Sequence, residues 1–156
     1  MNESWDELAE GKNCPFDAPL TEDNEHAHFV RKLSVSTLYL QRNQPYSGHC
    51  VLIYDMNHRI RMDQLTRDEW LAYAADLHVS ESAIYKALRP DHINVGSYGN
   101  MVPHLHWHIV PRYKDDGRWG APIWTTIPAE MPSKMLSLDK LRLLAESIDR
   151  EIENAL

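Results

Sequence analysis

The stretch His104–Val110 reads HLHWHIV and places three histidines at every second position. Alternate side chains of a β-strand point to the same face of a sheet, so His104, His106 and His108 are predicted to line one face, about 6.6 to 6.8 Å from each to the next. The opposite face of the strand is predicted to turn apolar side chains into the core: Leu105, Trp107 and Ile109. One strand histidine is usually a satisfied structural residue, whereas three in strict alternation indicate a functional row.

Two chemistries fit such a row of imidazoles. Neutral imidazole is the commonest metal ligand, and an imidazole can also attack phosphorus to form a covalent phosphoramidate while its neighbours bind the phosphate oxygens. Three ligands in line on one strand cannot by themselves surround a tetrahedral ion at about 2.0 to 2.1 Å per ligand. This geometry favours the nucleophilic role for at least the middle residue, His106.

The rest of the chain alternates short strand patterns with helix patterns. One strand is predicted over Lys32–Gln41 and a second over HCVLIYDM (49–56), and the turn between them makes the pair an antiparallel hairpin. HINVGS (92–97) and HLHWHIVPRY (104–113) are predicted as further strands, separated by a glycine-containing turn.

Two helices are predicted from their capping signals. Thr66 and Glu69 form a capping-box pattern at the start of a helix that reaches about Leu88, where Pro90 ends it. Ser137 is predicted to cap a last helix, whose apolar stripe is composed of Leu138, Leu141, Leu144, Ile148 and Ile152. The order of these elements predicts an α+β fold with a mostly antiparallel sheet, one central helix and a C-terminal helix.

The composition is that of an ordinary globular protein and narrows the function. The chain has 156 residues, enough for one domain with a core, and its net charge of −7 argues against binding along a nucleic-acid backbone. A small phosphorylated ligand is compatible with that charge. The sequence has no apolar run long enough for a membrane helix and no signal-peptide pattern at its acidic start, so we expect a cytoplasmic protein without a membrane partner. Cys14 and Cys50 do not make a disulfide framework.

HLHWHIV resembles the His-φ-His-φ-His-φ-φ signature, in which φ is apolar, of the histidine triad (HIT) superfamily of nucleotide hydrolases and transferases. YSGHCVLIY (46–54) is similar to the family's Gly-His strand, and LTRDEW (65–70) to its helix start. NVGSYGNMVP (94–103) is similar to the segment in which members carry an Asn-x-Gly and a Gly-Gln pair. The resemblance implies a single HIT-like domain over 1–156, composed of a lead-in (1–30), a triad-bearing core (31–113) and a loop with the C-terminal helix (114–156).

The resemblance implies a role for each histidine of the row. His106 takes the position of the family's nucleophile, which attacks the α-phosphorus and forms a nucleotidyl-histidine. His108 is expected to bind phosphate oxygens and points to the hydrolase branches, because transferase branches often carry Gln there. His104 would support the row. His49 matches the histidine that members place behind the nucleophile, where a hydrogen bond fixes which ring nitrogen keeps the free lone pair.

Three further residues match nucleotide-binding positions of the family. Asn94, in the Asn-x-Gly, and Asn100, where many members have Gln, are candidates for phosphate contact. Gln41 stands eight residues before His49, where members place Asp or Asn on the ribose hydroxyls, although a plain surface role is the alternative. Met101 departs from the Ser or Thr that several members carry at its position.

Some bacterial members also carry a structural zinc, and the resemblance implies where it would bind here. Their ligands are the two Cys of a Cys-x-x-Cys, a His after the second strand and the first His of the triad. The matching positions hold Cys14, Asp17, His58 and His104, and Asp is a suitable zinc ligand in place of the second Cys. The alternative is that the site has been lost and Cys14 is a lone thiol.

The leading interpretation is a hydrolase that cleaves a phosphoanhydride or phosphoramidate at the α-phosphorus of a dinucleoside polyphosphate or nucleoside phosphoramidate and releases a nucleoside monophosphate. No cofactor is required for this chemistry, Mg²⁺ would accompany a polyphosphate substrate, and a homodimer is expected because the family is often dimeric. A nucleotide-binding regulator with little turnover and a nucleotidyltransferase are the alternatives. Trp119 and Trp124 either rim a base pocket or pack the loop on the sheet, and the packing role is preferred.

Overall fold

The computed structural model describes residues 4–18, 21–124 and 131–156, which form a five-stranded antiparallel sheet with two long helices. In chain order the elements are α1 (Trp5–Ala9), β1 (Ala27–Lys32), β2 (Ser36–Gln41), β3 (Cys50–Tyr54), a 3₁₀ helix (Met62–Gln64), α2 (Arg67–Leu88), β4 (His92–Gly96), β5 (His106–Arg112) and α3 (Leu138–Ala155). The predicted α+β fold, with an antiparallel sheet, a central helix and a C-terminal helix, is confirmed. None of the described helices combines the length and the apolar content that a membrane crossing needs.

The sheet places the histidine strand between two neighbours. Its order is β1-β2-β3-β5-β4, and every neighbouring pair is antiparallel. His106 lies opposite Ile53 of β3, while His108 lies between Val51 of β3 and Gly96 of β4. Directly paired residues turn their side chains to the same face, so this register decides which residues surround the histidines.

The main core lies on the sheet face that α2 and α3 cover. Leu105 and Ile109 are buried there and Trp107 packs against them, as the alternation of the strand predicted. The strands and the two helices meet in one cluster, whose largest fully buried members include Leu38, Leu40, Leu52, Tyr73, Ile84, Leu141, Ile148 and Ile152. Because the helices close this face, the opposite face of the sheet is left for the histidines.

The predicted capping signals are confirmed at both long helices. The Thr66 hydroxyl accepts from the Glu69 N–H at 3.2 Å, and the Glu69 carboxylate accepts from the Thr66 N–H at 2.7 Å. Ser137 caps α3 by accepting from the backbone of its first turn. The predicted stripe is wrong at Leu138, which is 59 % exposed, because the buried side of α3 begins one turn later at Leu141.

The prediction of one strand over Lys32–Gln41 is also wrong, because the chain turns back between β1 and β2 at residues 33–35. The carboxylate of Asp76, buried on α2, accepts from the backbone N–H groups of Ser34 and Val35 at 3.2 and 2.9 Å. It also accepts from the hydroxyls of Ser34 and Ser36, each at 2.7 Å. This turn has no Gly or Pro, and a distant helix stabilises it, so local sequence carries no signal for it. β1 therefore crosses the predicted boundary between the lead-in and the core.

Candidate functional site

The three histidines share one face of the sheet, although β5 begins at His106, two residues later than predicted. The Phe16 ring lies edge-on to both His104 and His106, with ring centroids 5.8 and 5.2 Å away. The rings of His106 and His108 are only 4.9 Å apart, which is closer than the strand repeat, because a hydrogen bond joins them.

Three imidazoles form a hydrogen-bonded chain that ends on a backbone carbonyl. Nε2 of His49 lies 3.0 Å from Nδ1 of His108, and Nε2 of His108 lies 3.1 Å from Nε2 of His106. Nδ1 of His106 lies 2.6 Å from the carbonyl oxygen of His104. His49 was predicted behind the nucleophile position, and it reaches His106 only through His108.

The carbonyl at the end of this chain assigns every proton in it. An oxygen of a peptide group can only accept, so Nδ1 of His106 carries the hydrogen and Nε2 carries the lone pair. Nε2 of His108 must then donate to that lone pair, which leaves Nδ1 of His108 to accept from Nε2–H of His49. Nε2 of His106 is thus a nucleophilic nitrogen, and Nε2–H of His108 is a donor beside it.

Burial keeps these rings neutral. It lowers the pKa of His49 to about 4. Burial, together with the neighbouring His49 and His106, lowers the pKa of His108 to about 2. Burial also lowers the pKa of His106, against the opposing effect of its hydrogen bond to the His104 carbonyl. A neutral imidazole is the form that attacks phosphorus or donates a single proton along such a chain.

A second group of side chains meets at the His104 end of the row. Cys14, Asp17, His58 and His104 each direct one ligand atom to a common point, with all four atoms within 4.8 Å of one another. The Nε2 atoms of the two histidines are held by backbone carbonyls, that of His58 by Ala9 at 3.1 Å and that of His104 by Tyr54 at 2.6 Å. These bonds leave the Nδ1 lone pairs facing the acid and the thiol. Metal-binding histidines are oriented in the same way, by a hydrogen bond from the ring nitrogen that does not bind the metal.

The distances in this cluster fit a tetrahedral cation. Nδ1 of His104 lies 3.3 Å from the Asp17 carboxylate and 3.7 Å from Sγ of Cys14. Tetrahedral zinc would separate two nitrogen or oxygen ligands by about 3.3 Å and a nitrogen from a sulfur by about 3.6 Å. Nδ1 of His58 is buried 2.9 Å from the same carboxylate without hydrogen-bond geometry, as expected where a cation satisfies both. A cavity of about 460 Å³, lined in part by Asp17 and His104, adjoins the cluster.

Aromatic side chains cover the other end of the row. The Trp124 ring lies edge-on to His108, with centroids 4.3 Å apart, and 6.1 Å from the His49 ring. Tyr98 lies 6.1 Å from the His108 ring and 5.2 Å from the Trp124 ring. Gly96 makes this approach possible, because a Cβ at that position would lie 2.5 Å from the Tyr98 hydroxyl. Trp124 therefore packs on the site itself, beyond the loop-packing role that was preferred for it.

Buried Arg112 holds the segment that carries Trp124. Its Nε donates to Asp116 at 2.6 Å, and Nη1 donates to the Ala121 carbonyl and to the Asn94 side chain, both at 2.8 Å. Nη2 donates to Asp116 at 3.4 Å and to the Arg118 carbonyl at 2.7 Å. All five N–H donors of the guanidinium are engaged, so it folds the chain after β5 back towards His108.

The residues predicted to bind the nucleotide occupy different surroundings. The amide oxygen of Asn94 is taken by Arg112, which leaves its NH₂ group for a ligand. Asn100 is exposed in the turn before the triad. Gln41 ends β2 beside the start of β3, where its backbone N–H donates to the His49 carbonyl at 3.0 Å. The structure therefore brings Gln41 next to the histidine chain and gives Asn94 a structural partner.

An apolar patch lies next to the histidines on the same face. It is composed of Phe16, Ala27, Phe29, Tyr39, Val51 and Ile53. Val51 and Ile53 are the β3 partners of His108 and His106, so the patch directly adjoins the row. The Tyr39 hydroxyl is buried in it without a hydrogen-bond partner among the described residues.

Sequence reasoning missed Phe16, Tyr98 and Arg112 as parts of the site. Phe16 had an available signal, because it stands between the two N-terminal candidate ligands and any metal there would place it near His104. Arg112 follows Pro111 at the end of β5, where the alternation of the strand puts it on the same face as His106 and His108. Tyr98 gave no signal, because its position depends on the absence of a side chain at Gly96.

Comparisons with known proteins agree with this arrangement. The family model of the HIT domain matches residues 22–115, more than half of the chain. A histidine triad protein of Sinorhizobium meliloti is 19% identical, with 81% of this chain and 90% of that chain covered at a TM-score of 0.73. A hypothetical histidine triad nucleotide-binding protein of Sulfolobus tokodaii is 22% identical, with 90% and 93% covered at 0.68.

A Zn-bound histidine triad family protein of Mycobacterium smegmatis is 17% identical, with 92% of this chain and 95% of that chain covered at a TM-score of 0.64. At these identities the structural likeness shows the fold. No curated protein sequence matches the chain.

Proposed function

This chain belongs to the histidine triad (HIT) family, and from that membership we propose that it is a nucleotide hydrolase that works through a nucleotidyl-His106 intermediate. The observation that carries the proposal is the hydrogen-bonded chain His49–His108–His106, which ends on the His104 carbonyl. The substrate is a dinucleoside polyphosphate or a nucleoside phosphoramidate, and one product is a nucleoside monophosphate.

The first step forms the covalent intermediate. Nε2 of His106 attacks the α-phosphorus, a P–N bond forms, and the bond from phosphorus to the leaving oxygen or nitrogen breaks. The His104 carbonyl stabilises the positive charge that develops on the ring, because it accepts from Nδ1–H. Nε2–H of His108 turns from His106 to the substrate, where it binds phosphate oxygen and supplies a proton to the leaving group. The negative charge that this leaves on the His108 ring is balanced by the positive charge on the nucleotidyl-His106 ring beside it, and Nε2–H of His49 donates to it.

The second step releases the product. Water attacks the phosphorus of the nucleotidyl-histidine, the P–N bond breaks, and Nε2 of His106 recovers its lone pair. Nε2 of His108, deprotonated in the first step, accepts the proton that the water loses. Throughout the cycle His49 keeps the ring of His108 oriented by its hydrogen bond to Nδ1.

The nucleoside part of the substrate has suitable surroundings on the histidine face. The base would lie against the edge of the apolar patch around Tyr39, since most members of the patch are buried. Gln41 would bind the ribose hydroxyls from the end of β2, and Asn100 and the free NH₂ group of Asn94 would contact phosphate. Mg²⁺ would accompany a polyphosphate substrate only.

A structural zinc ion held by Cys14, Asp17, His58 and His104 is part of the proposal. The ligand set combines two imidazoles, a thiolate and a carboxylate, which suits zinc better than hard oxygen-seeking cations. When bound, the ion supplies no reacting group. The four ligands tie the N-terminal segment to the triad, and this holds Phe16 against His106. The homodimer and the cytoplasmic location stay predictions from the sequence.

Trapping the intermediate tests the proposed function. The protein is mixed with adenosine 5′-phosphoramidate, quenched in alkaline denaturant, which preserves the acid-labile P–N bond, and analysed by mass spectrometry. We expect an adenylyl adduct on the peptide that contains His106 and release of AMP during turnover. His106→Ala should bind AMP with little change, form no adduct and lose turnover.

The control is His92→Ala, which removes an exposed histidine at the start of β4 and should retain adduct and turnover. Near-normal turnover by His106→Ala would contradict the mechanism. Binding of AMP by the wild-type protein with neither adduct nor turnover would make the chain a nucleotide-binding protein without hydrolase activity.

A further inference from the structure

The two ends of the histidine chain have different aromatic neighbours. Phe16 packs against His106 and belongs to the apolar patch that adjoins β3. Trp124 and Tyr98 pack against His108, and they contact each other edge-to-face with ring centroids 5.2 Å apart. The proposed nucleophile and the proposed proton donor therefore have separate aromatic neighbours.

The direction of the displacement decides which part of a substrate each neighbour meets. In an in-line attack, the leaving group lies on the far side of the phosphorus from His106. His108 must still reach that group with Nε2–H, so the side chains that pack on His108 flank the leaving group. Tyr98 is 52 % exposed and offers it an open ring surface.

Two features hold this pair of rings in place. Tyr98 folds over Gly96, where any side chain would collide with its ring. Trp124 has a backbone φ of 57°, a left-handed conformation that is costly for a bulky residue, and the Arg112 hydrogen bonds hold the preceding segment at Arg118 and Ala121. Strain kept at a surface segment beside a reactive histidine indicates that the position of the ring matters.

The charge around the pair favours an uncharged leaving group. Arg112 holds this segment, and all its N–H donors are already used. Its guanidinium is therefore not available to a polyphosphate leaving group, whereas a flat ring would find two aromatic partners. Aromatic rings that meet edge-to-face or offset gain more interaction energy than the apolar area they bury accounts for.

We propose that Tyr98 and Trp124 form the leaving-group subsite and select for leaving groups that carry an aromatic ring, such as an alkyl amine that bears a phenyl group. This inference rests on the proposed hydrolase function for its meaning, since it names the substrate class of the same site. It predicts a preference for aromatic over saturated rings of the same size.

A matched pair of ligands tests the preference without turnover. The adenosine 5′-phosphoramidates of 2-phenylethylamine and 2-cyclohexylethylamine share the nucleotide and the linker and differ in the aromaticity of the ring. Their Kd values are measured by calorimetry on full-length His106→Asn. We expect the phenyl compound to bind about three- to tenfold more tightly.

Variants in the same background assign the preference to the two rings. Trp124→Leu and Tyr98→Leu should each reduce the ratio of the Kd values towards one, and Trp124→Phe should retain most of it. Trp119→Leu is the matched control, because Trp119 lies in the same segment and is 46 % exposed. Circular dichroism identifies any variant that fails to fold, and the remaining variants then decide.

The outcomes separate this inference from the proposed function. Equal Kd values, a ratio that survives both leucine variants, or no binding of either compound would overturn the subsite. Wild-type protein that binds with the expected ratio but hydrolyses neither compound would support the subsite and contradict the hydrolase.

Discussion

His58 and His104 face a thiol and a carboxylate at one end of the histidine row, whereas His49 and His108 lie ring to ring at the other. At the first end each Nε2 is fixed by a backbone carbonyl, so lone pairs converge on a point and favour a cation. At the second end most partners are other imidazoles, so protons line up from ring to ring. A buried histidine whose one ring nitrogen donates to a carbonyl therefore has its other nitrogen free to bind a cation, whereas one that is bonded to further imidazoles is suited to passing protons.

The largest expected effect separates these two ends by removing His108, the proposed proton donor. His108→Asn should lower kcat for a nucleoside phosphoramidate about 10²- to 10⁴-fold, because an amide cannot pass a proton to the leaving group. Zinc content after equal loading, measured by elemental analysis, should stay the same. His58→Asn is the reciprocal variant and should lose zinc while kcat changes by less than about tenfold. Loss of zinc in the His108 variant would show that the two ends are not independent.

Arg112→Gln should give the next largest effect, on stability. The change leaves the Asp116 carboxylate and two partly buried carbonyls without their donors, so the free energy of unfolding in urea should fall by about 3 kcal/mol. Zinc affinity should not change, because this network belongs to the His108 end.

Arg61→Gln is the control for that change. Arg61 pairs with Asp63 at the surface, so this variant should not change the free energy of unfolding measurably. Equal losses from the two variants would mean that the buried network contributes no more than a surface pair.

Acid should lower the stability that the His108 end contributes to the fold. His49 has a native pKa of about 4, against about 6.5 in an unfolded chain, so below pH 6.5 the unfolded state binds more protons. The stability from neutral His49 is complete above pH 6.5 and declines as pH falls towards 4, by about 2 kcal/mol at pH 5. His49→Gln should make this decline shallower in urea unfolding at pH 8 and pH 5.

The control is His26→Gln, because His26 is exposed and should leave the decline unchanged. An unchanged slope in the His49 variant would show that this ring takes up its proton without loss of stability.

The smallest expected effect is a change in zinc affinity at the His104 end of the row. Asp17→Cys replaces a carboxylate with a thiolate and should bind zinc about tenfold more tightly in a competition with a chelator, with kcat within twofold of wild type. Asp63→Cys, which places a thiol on the exposed surface, should leave zinc affinity unchanged. Weaker zinc binding by Asp17→Cys would mean that the loop cannot accommodate the longer metal–sulfur bond.

Much of the fold was accessible from the sequence, because its signals are local. The capping box at Thr66 and the alternation through His106 and His108 depend only on residues that are close in sequence, and the structure has both. The turn between β1 and β2 was not accessible, since it depends on Asp76 in α2 and has no Gly or Pro of its own. Patterns within a few residues can be predicted, and contacts over forty residues cannot.

The candidate site divides in the same way. The spacing of the triad and the family resemblance point to His49, and the structure gives it a partner, but the choice of His108 over His106 follows from three-dimensional packing. Trp124 reaches the histidines because Arg112 folds back the segment before it, and no local pattern encodes that path.

The capture of the β1–β2 turn by Asp76 has a consequence for the order of folding. The hairpin closes on a carboxylate that lies 42 residues further along the chain, so it gains its anchor only after α2 has docked on the sheet. The β3–β5 pairing closes a still longer loop, from Ile53 to His106, so neither contact can form from neighbouring residues alone. The anchor therefore couples β1, at the edge of the sheet, to the helix layer, and the hairpin is complete only when that layer is in place.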